Sequence, residues 1–315
     1  MTSFPTTPRA SAIRATALVL VWSSGFIGAE LGARAAPPAT SLAWRFLVTA
    51  VVLLPWLLRG GGLDRREWAC QAVLALLCQC LYLAGVFQAA AAGVPAGTSA
   101  LIASLQPALV LTAAVLLGSS RLKAGHVVGL VLGSAGVALT AAGDLRAGVD
   151  IAALVLPLSA MLSLSAGTLL QQRWTTSDRP TPLMRTLAVQ AVFGAVFFTA
   201  YAAATGDLAP PPTARFWTAT TWAVLAGIGS YGAYYLVTTH DGAPRASTLL
   251  YITPAATALW ATLMFAQPLR TTTIAGLLVS ALAVAVFTRS DSTPRTQPAP
   301  TRPHAEQGTP AQGDP

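Results

Sequence analysis

Residues 100–139, ALIASLQPALVLTAAVLLGSSRLKAGHVVGLVLGSAGVAL, and residues 247–286, STLLYITPAATALWATLMFAQPLRTTTIAGLLVSALAVAV, are the same helical pair written twice at a constant offset of 147. Pro107 falls over Pro254, Leu122 over Leu269, Gly129 over Gly276 and Val137 over Val284. In the longer register, 95–139 against 242–286, ten of 45 positions are identical without a gap. Several are alanines that an Ala-rich chain matches by chance, so the proline and glycine matches carry the argument. Each copy has an apolar span with a proline in its middle, a short turn, and a glycine-bearing apolar span. A duplication of this kind predicts a fold built from two related halves.

Working outward, hydrophobic residues make up 54% of the 315 and charged residues 10%, against about 25% charged in an average protein. With a mean hydropathy of +0.61, the chain divides into spans of about 20 apolar residues, each able to cross a hydrocarbon layer of about 30 Å. Ten spans are expected, near 15–34, 39–58, 68–90, 95–118, 123–142, 149–172, 182–205, 214–238, 243–266 and 271–289. The expected fold class is all-α integral membrane, with ten transmembrane helices as two inverted five-helix repeats. The repeats are 15–142 and 143–289, flanked by a cytoplasmic segment 1–14 and a disordered cytoplasmic tail 290–315. The tail is rich in Pro, Gln and Thr and has no apolar run.

The net charge of +8 forms no basic stripe interleaved with aromatics, so no nucleic-acid partner is expected. Basic residues instead report topology. With the N-terminus inside, fourteen of the 19 fall on the cytoplasmic side and only Arg34, Arg45, Arg146, Arg215 and Arg270 outside, which places both termini in the cytoplasm. Five spans per half is odd, so the halves must be inverted. Trp44, Trp56, Trp68, Trp174 and Trp217 lie near span ends, where indoles prefer the headgroup zone. Arg9 and Arg14 precede an apolar run too long for a cleaved signal, so that run is read as the first helix. Cys70, Cys78 and Cys80 share the third span without metal or disulfide spacing, which predicts buried, inert thiols.

Polar side chains gather around the two mid-span prolines. A proline deletes a backbone hydrogen bond and pushes away the carbonyl four residues earlier, so Pro107 frees Ala103 and Pro254 frees Leu250. Interrupted spans at equivalent places in two halves point to a substrate site at the repeat interface; the plainer reading is a kink satisfied by a nearby Ser or Thr. Gln106, Ser104 and Ser99 lie beside one kink, and Thr248, Tyr251 and Thr253 beside the other. Gln71, Gln79 and Tyr82 share a face of the third span, and Tyr231 and Tyr235 share one of the eighth with Gly227. These residues either line a cavity for a small amphipathic solute or hydrogen-bond helices together.

Glu30 is the clearest intramembrane carboxylate, and a charge at that depth is paired, functional or near the surface. The hairpin at Pro37 and Pro38 suggests pairing with Arg45; the alternative is that Glu30 takes up a proton during transport. Gly125, Gly129, Gly133 and Gly136 form a close-packing seam, read as a contact within the bundle rather than a dimer face. The protein is then a monomer or a homodimer. His126, His240 and His304 are scattered, and no H-E-x-x-H, P-loop or G-x-S-x-G occurs, so no enzyme, metal, cofactor or nucleotide-driven motor is expected.

The phrase LVWSSGFIGAELGARAAPPATSLAWRF, with Trp22, Ser23, Ser24, Gly25, Phe26, Arg45 and Phe46, resembles the opening of the EamA-like family of the drug/metabolite transporter superfamily. GVPAGTSALIASLQPALV, with Pro95, Gly97, Gln106 and Pro107, is similar to the family's fourth helix, and LLYITPAATALWATLMFAQPL, with Tyr251 and Pro254, to its ninth. The resemblance implies a ten-helix carrier in a bacterial inner membrane, with a cavity lined by the third, fourth, eighth and ninth helices. Its relatives mostly export amino acids and related metabolites. Trp22, Ser24, Gln79, Tyr82, Gln106, Tyr231, Tyr235 and Tyr251 are the candidate cavity residues, with Glu30 the ion-coupling candidate and possible proton coupling. Two departures stand out: the family's Gly-Glu after the fourth and ninth helices is here Ser119-Ser120 and Ala266-Gln267, and the position of Glu30 is often lysine. The expected function is export of a small metabolite by alternating access on an ion gradient. A broad drug exporter of the same fold is one alternative, and a non-transporting membrane enzyme or scaffold is the other.

Overall fold

The computed structural model describes residues 8–59, 63–117, 123–174 and 181–291, so Ser119, Ser120, His304 and most of the tail lie outside the described residues. Helices stand at all ten expected places. They are α1 (Pro8–Ala35), α2 (Pro38–Leu58), α3 (Arg65–Ala75) continuing through a π-helical turn (Leu76–Leu81) into α4 (Tyr82–Ala91), α5 (Ala96–Ala103), α6 (Gln106–Leu116) and α7 (Ala124–Arg146). After these come α8 (Ile151–Trp174), α9 (Leu183–Thr205), α10 (Ala214–Asp241), α11 (Ala243–Leu250), α12 (Thr253–Phe265) and α13 (Thr271–Asp291). Among the described residues eight helical stretches are long and apolar enough to cross a membrane, and Thr271–Val286 is a shorter apolar one. α10 is not among the eight although it runs 28 residues. Its threonines and the run Tyr231, Tyr234, Tyr235 dilute its hydropathy.

Helix ends follow local chemistry. Asp64 caps α3 reciprocally: its Oδ1 accepts from the Glu67 N–H at 2.6 Å, and Glu67 Oε2 accepts from the Asp64 N–H at 2.9 Å, a capping box. The two proline kinks fall at the predicted register. α5 ends at Ala103 and α11 at Leu250; α6 begins at Gln106 and α12 at Thr253, each pair 147 apart. Pro107 and Pro254 each sit in the first turn of the second segment, where a missing N–H costs least.

The molecule is turned inside out relative to a water-soluble protein. Large apolar side chains such as Val51, Leu58, Val131, Leu162, Leu263 and Leu278 are exposed, while Ser23, Thr98, His126, Thr140, Asp144, Ser165 and Thr257 are buried. An apolar exterior and an interior of small and polar groups suit a bilayer. The main core gathers Phe26, Ile27, Leu42, Phe46, Phe87 and Phe198 from α1, α2, α4 and α9.

Packing partners are mostly drawn from opposite halves. α2 packs on α9, α7 on α13, α5 on α12, α1 on α10, and α4 with the π turn on α8. Numbered by span, these are 2 with 7, 5 with 10, 4 with 9, 1 with 8 and 3 with 6. Advancing every span by five returns the same set of pairs. The glycine seam of α7 faces α13: a Cβ on Gly136 would lie 2.7 Å from the Gly276 carbonyl oxygen and would also strike Ser280. Gly276 meets Thr140 and Gly136 in return. The seam is therefore a contact within the bundle, as the sequence suggests.

Candidate functional site

Trp22, Gln79 and Tyr82 gather around Tyr231, in the second half of α10. Gln79, in the π turn, donates from Nε2 to the Tyr231 hydroxyl at 3.0 Å and to Gln190 Oε1 of α9 at 3.3 Å. Gln190 in turn donates to Gln71 Oε1 at 2.9 Å. The Trp22 ring of α1 meets Tyr231 edge-on with centroids 6.1 Å apart, and it lies 5.9 Å from Tyr234. Such tilted and edge arrangements follow from the ring quadrupoles. Tyr82 packs against the main core, within electrostatic range of Tyr231 and of Arg45.

The π turn gives Gln79 its position. One widened turn leaves carbonyls poorly matched along the helix, and such turns recur at functional sites. Ser163 of α8 donates to the Leu77 carbonyl at 2.8 Å, and Gly167 lets α8 approach Cys78 closely. Cys78 and Cys80 are buried free thiols.

Other candidates stand apart from this group. Ser24 donates to the Val21 carbonyl of its own helix at 2.6 Å, while its carbonyl accepts from Trp222 Nε1 at 2.9 Å. Gln106 donates to Thr168 of α8 at 2.9 Å. Tyr251 occupies the break between α11 and α12, and Tyr235 is 53% exposed; Tyr234, not Tyr235, turns toward Trp22. At Pro254 the plainer reading of the kink has direct support, because Thr253 Oγ1 donates to the released Leu250 carbonyl at 2.6 Å. Ser23 of α1 donates to the Thr253 carbonyl at 3.3 Å, so the break is also tied to the first half.

Glu30 does not pair with Arg45. Its Oε1 accepts from Arg34 Nε at 2.7 Å, one turn along α1, and the Arg34 guanidinium lies 4.5 Å from the Phe265 ring centroid. The expected hairpin contact fails because α1 packs mainly on α10 and α12 while α2 packs mainly on α9. Arg45 instead points into the bundle, its Cζ 5.5 Å from the Phe46 centroid and 5.9 Å from that of Phe87. It is a residue of the interior rather than a marker of the outer surface.

Among the described residues two ion pairs join α1–α7 to α8–α13, one near each end of the bundle. Arg14 donates from Nε to Asp241 Oδ2 at 2.8 Å, and Ser11 adds a bond to Oδ1 at 2.7 Å. Asp241 lies beyond the apolar part of α10, and the bonds from Arg14 first and Ser11 second hold its carboxyl well below the usual carboxylate range. At the other end Asp144 Oδ2 accepts from Thr98 at 2.6 Å and Oδ1 faces Arg270 Nη1 at 3.4 Å. A cavity of about 230 Å³ opens there, lined in part by Thr98, Asp144, Gln267 and Arg270. It lies at the bundle end, away from Tyr231. Among the described residues no cluster of three His, Cys, Asp or Glu side chains is placed to hold a metal.

Gln190 belongs to the group although no motif or kink singles it out in the sequence, and Arg45 lies in the interior rather than on the outer face. The signal for Gln190 was present as the single polar side chain in LAVQAVFGAVFF.

An apolar-surfaced helical bundle with a polar and aromatic interior defines a multi-pass membrane protein. The chain belongs to the EamA-like transporter family, whose model matches residues 10–142 and again 151–289. Among solved structures, one crystal structure superposes with a TM-score of 0.61 at 17% identity, covering 91% of this chain and 100% of its own. That likeness concerns the fold alone. No curated protein sequence matches the chain.

Proposed function

We propose that the protein is a secondary carrier that exports a small metabolite, an amino acid or related compound, by alternating access driven by an ion gradient. Its ten helices are read as membrane spans in two inverted halves, 15–142 and 143–289, with both termini cytoplasmic in a bacterial inner membrane. The observation that carries the reading is the group around Tyr231, to which both halves contribute: Trp22 and Gln79 from the first, Gln190 and Tyr231 from the second. Discontinuous helices beside such an interface are the usual seat of a transported solute. The packing set that survives exchange of the halves supports two equivalent halves, and an odd number of spans in each makes them inverted. Glu30 is the coupling candidate, with Arg34 as the partner it exchanges for a proton during the cycle. Glu30→Gln then abolishes pH-driven flux while folded protein stays in the membrane; unchanged flux removes Glu30 from the mechanism.

The primary test is reconstitution in liposomes under an imposed pH gradient, with mass spectrometry of the compounds trapped from a pooled amino-acid and metabolite mixture. Trapping of one or a few compounds, lost when the gradient is collapsed, is the expected result. A folded preparation that traps nothing with the gradient in either direction, nor with a sodium gradient, overturns the carrier reading.

A further inference from the structure

Arg45 sits about 10 Å along α2 from Pro38, two turns into an apolar helix. Among the described residues no carboxylate pairs with it: Glu30 is held by Arg34, Asp144 by Arg270 and Asp241 by Arg14. Its nearest rings are those of Phe46 and Phe87, and the phenols of Tyr82 and Tyr231 are within electrostatic range. A Cβ on Gly227 would come within 2.9 Å of Arg45 Nη2, so the fork lies against bare backbone of α10, one turn before Tyr231. The residue as a whole is partly buried, with its guanidinium directed into the bundle.

An ionised guanidinium within a membrane bundle is costly unless it is paired or serves a pathway. Here the protein supplies aromatic faces, which attract a cation weakly, and no anion. The missing charge has to come from elsewhere. We propose that Arg45 is the anchor for the carboxylate of the transported solute, an inference that rests on the carrier reading. The planar fork matches a carboxylate with two parallel N–H donors, and the Tyr82 and Tyr231 phenols are within electrostatic range of it. One unaccompanied arginine balances one negative charge. A phosphate dianion would need a second cation, whereas the groups within electrostatic range of Arg45 are tyrosines. Trp22, edge-on to Tyr231, supplies an apolar wall for the rest of the solute.

The test uses full-length protein in proteoliposomes under the pH gradient, with pooled amino acids, each accompanied by its carboxamide, and a set of phosphate monoesters. The wild-type protein is expected to trap acids at least tenfold over the matching carboxamides and to leave the phosphate esters outside. Arg45→Gln is expected to lower acid trapping at least tenfold, with Arg45→Lys retaining part of it. Equal trapping of acid and carboxamide, preference for phosphate esters, or an Arg45→Gln protein that traps acids as the wild type does overturns the assignment. The wild-type comparison can still overturn the assignment if the variant fails to fold. Trapping of uncharged solutes alone removes the Arg45 role and leaves the carrier standing; trapping of nothing, with the pH gradient in either direction and with a sodium gradient, removes both.

Discussion

Gln190 engages two other glutamines, accepting from Gln79 and donating to Gln71, and through Gln79 the chain reaches the Tyr231 hydroxyl. Interhelical hydrogen bonds in membrane proteins average only about 0.6 kcal/mol, so the chain contributes little to stability by itself. Its value lies in fixing the orientation of Gln79 and Tyr231 at the interface between halves. Tyr231→Phe removes the acceptor while keeping the ring against Trp22. The variant is expected to shift the unfolding midpoint by about 0.6 kcal/mol or less and to raise the KM for uptake several-fold. An unchanged KM would make the chain structural glue. At this scale the sequence was legible where periodicity pairs residues on one face, as with Gln71 and Gln79. It was silent on partners from distant helices, which is why Gln190 escaped notice. The same gap misplaced Arg45, because a hairpin in sequence gave no warning that α1 and α2 pack on different neighbours.

Interruptions set the elements apart from plain spans. The breaks at 103–106 and 250–253 were readable because proline writes them into the sequence twice. The π turn at Leu76–Leu81 left no such mark, since an apolar run with two cysteines is equally suited to an α-helix. Pro107→Ala and Pro254→Ala allow each break to close into continuous helix, and each is expected to slow transport turnover more than it lowers stability. Normal turnover in both would reduce the kinks to packing features. A second consequence concerns the end of α12, where the family's usual glycine is Ala266. Ala266 adopts φ 53°, ψ 29°; its own N–H donates to the Thr262 carbonyl at 3.0 Å and the Gln267 N–H to that of Ala261 at 3.5 Å. A left-handed backbone costs a residue with a Cβ about 1–2 kcal/mol, and glycine gives back about 0.4–1 kcal/mol through its freer unfolded chain. Ala266→Gly is therefore expected to stabilise the protein by about 0.5–1 kcal/mol, measured as a raised unfolding midpoint in detergent. A lowered midpoint would contradict the assignment of strain.

Across the whole molecule, the contacts that join the two halves differ in kind along the bundle axis. The seam of α7 and α13 is tight and glycine-lined, so it resists separation. The ends are held by charge: Arg14 and Ser11 with Asp241 at one, Thr98 and Arg270 with Asp144 at the other. In each pair the arginine is partly open to water while the carboxylate is buried, so the pair parts only as that end of the bundle opens and hydrates the carboxylate. On the carrier reading proposed above, contacts at one end part while those at the other hold, and the two ion pairs are the contacts expected to part in turn. The pairs differ in strength, since Asp241 receives three bonds from Arg14 and Ser11, with Arg14 Nε at 2.8 Å, whereas Asp144 faces Arg270 only at 3.4 Å. Weakening the stronger lock should shift the population toward opening at its end. In a protein with Cys70, Cys78 and Cys80 replaced, Tyr231→Cys reports access to the centre. Adding Asp241→Asn is expected to speed labelling of that cysteine from the Arg14 side and slow it from the Arg270 side. Arg270→Gln is expected to do the reverse. If both substitutions speed labelling from both sides alike, the pairs merely hold the bundle together and alternate opening of its ends must depend on other contacts.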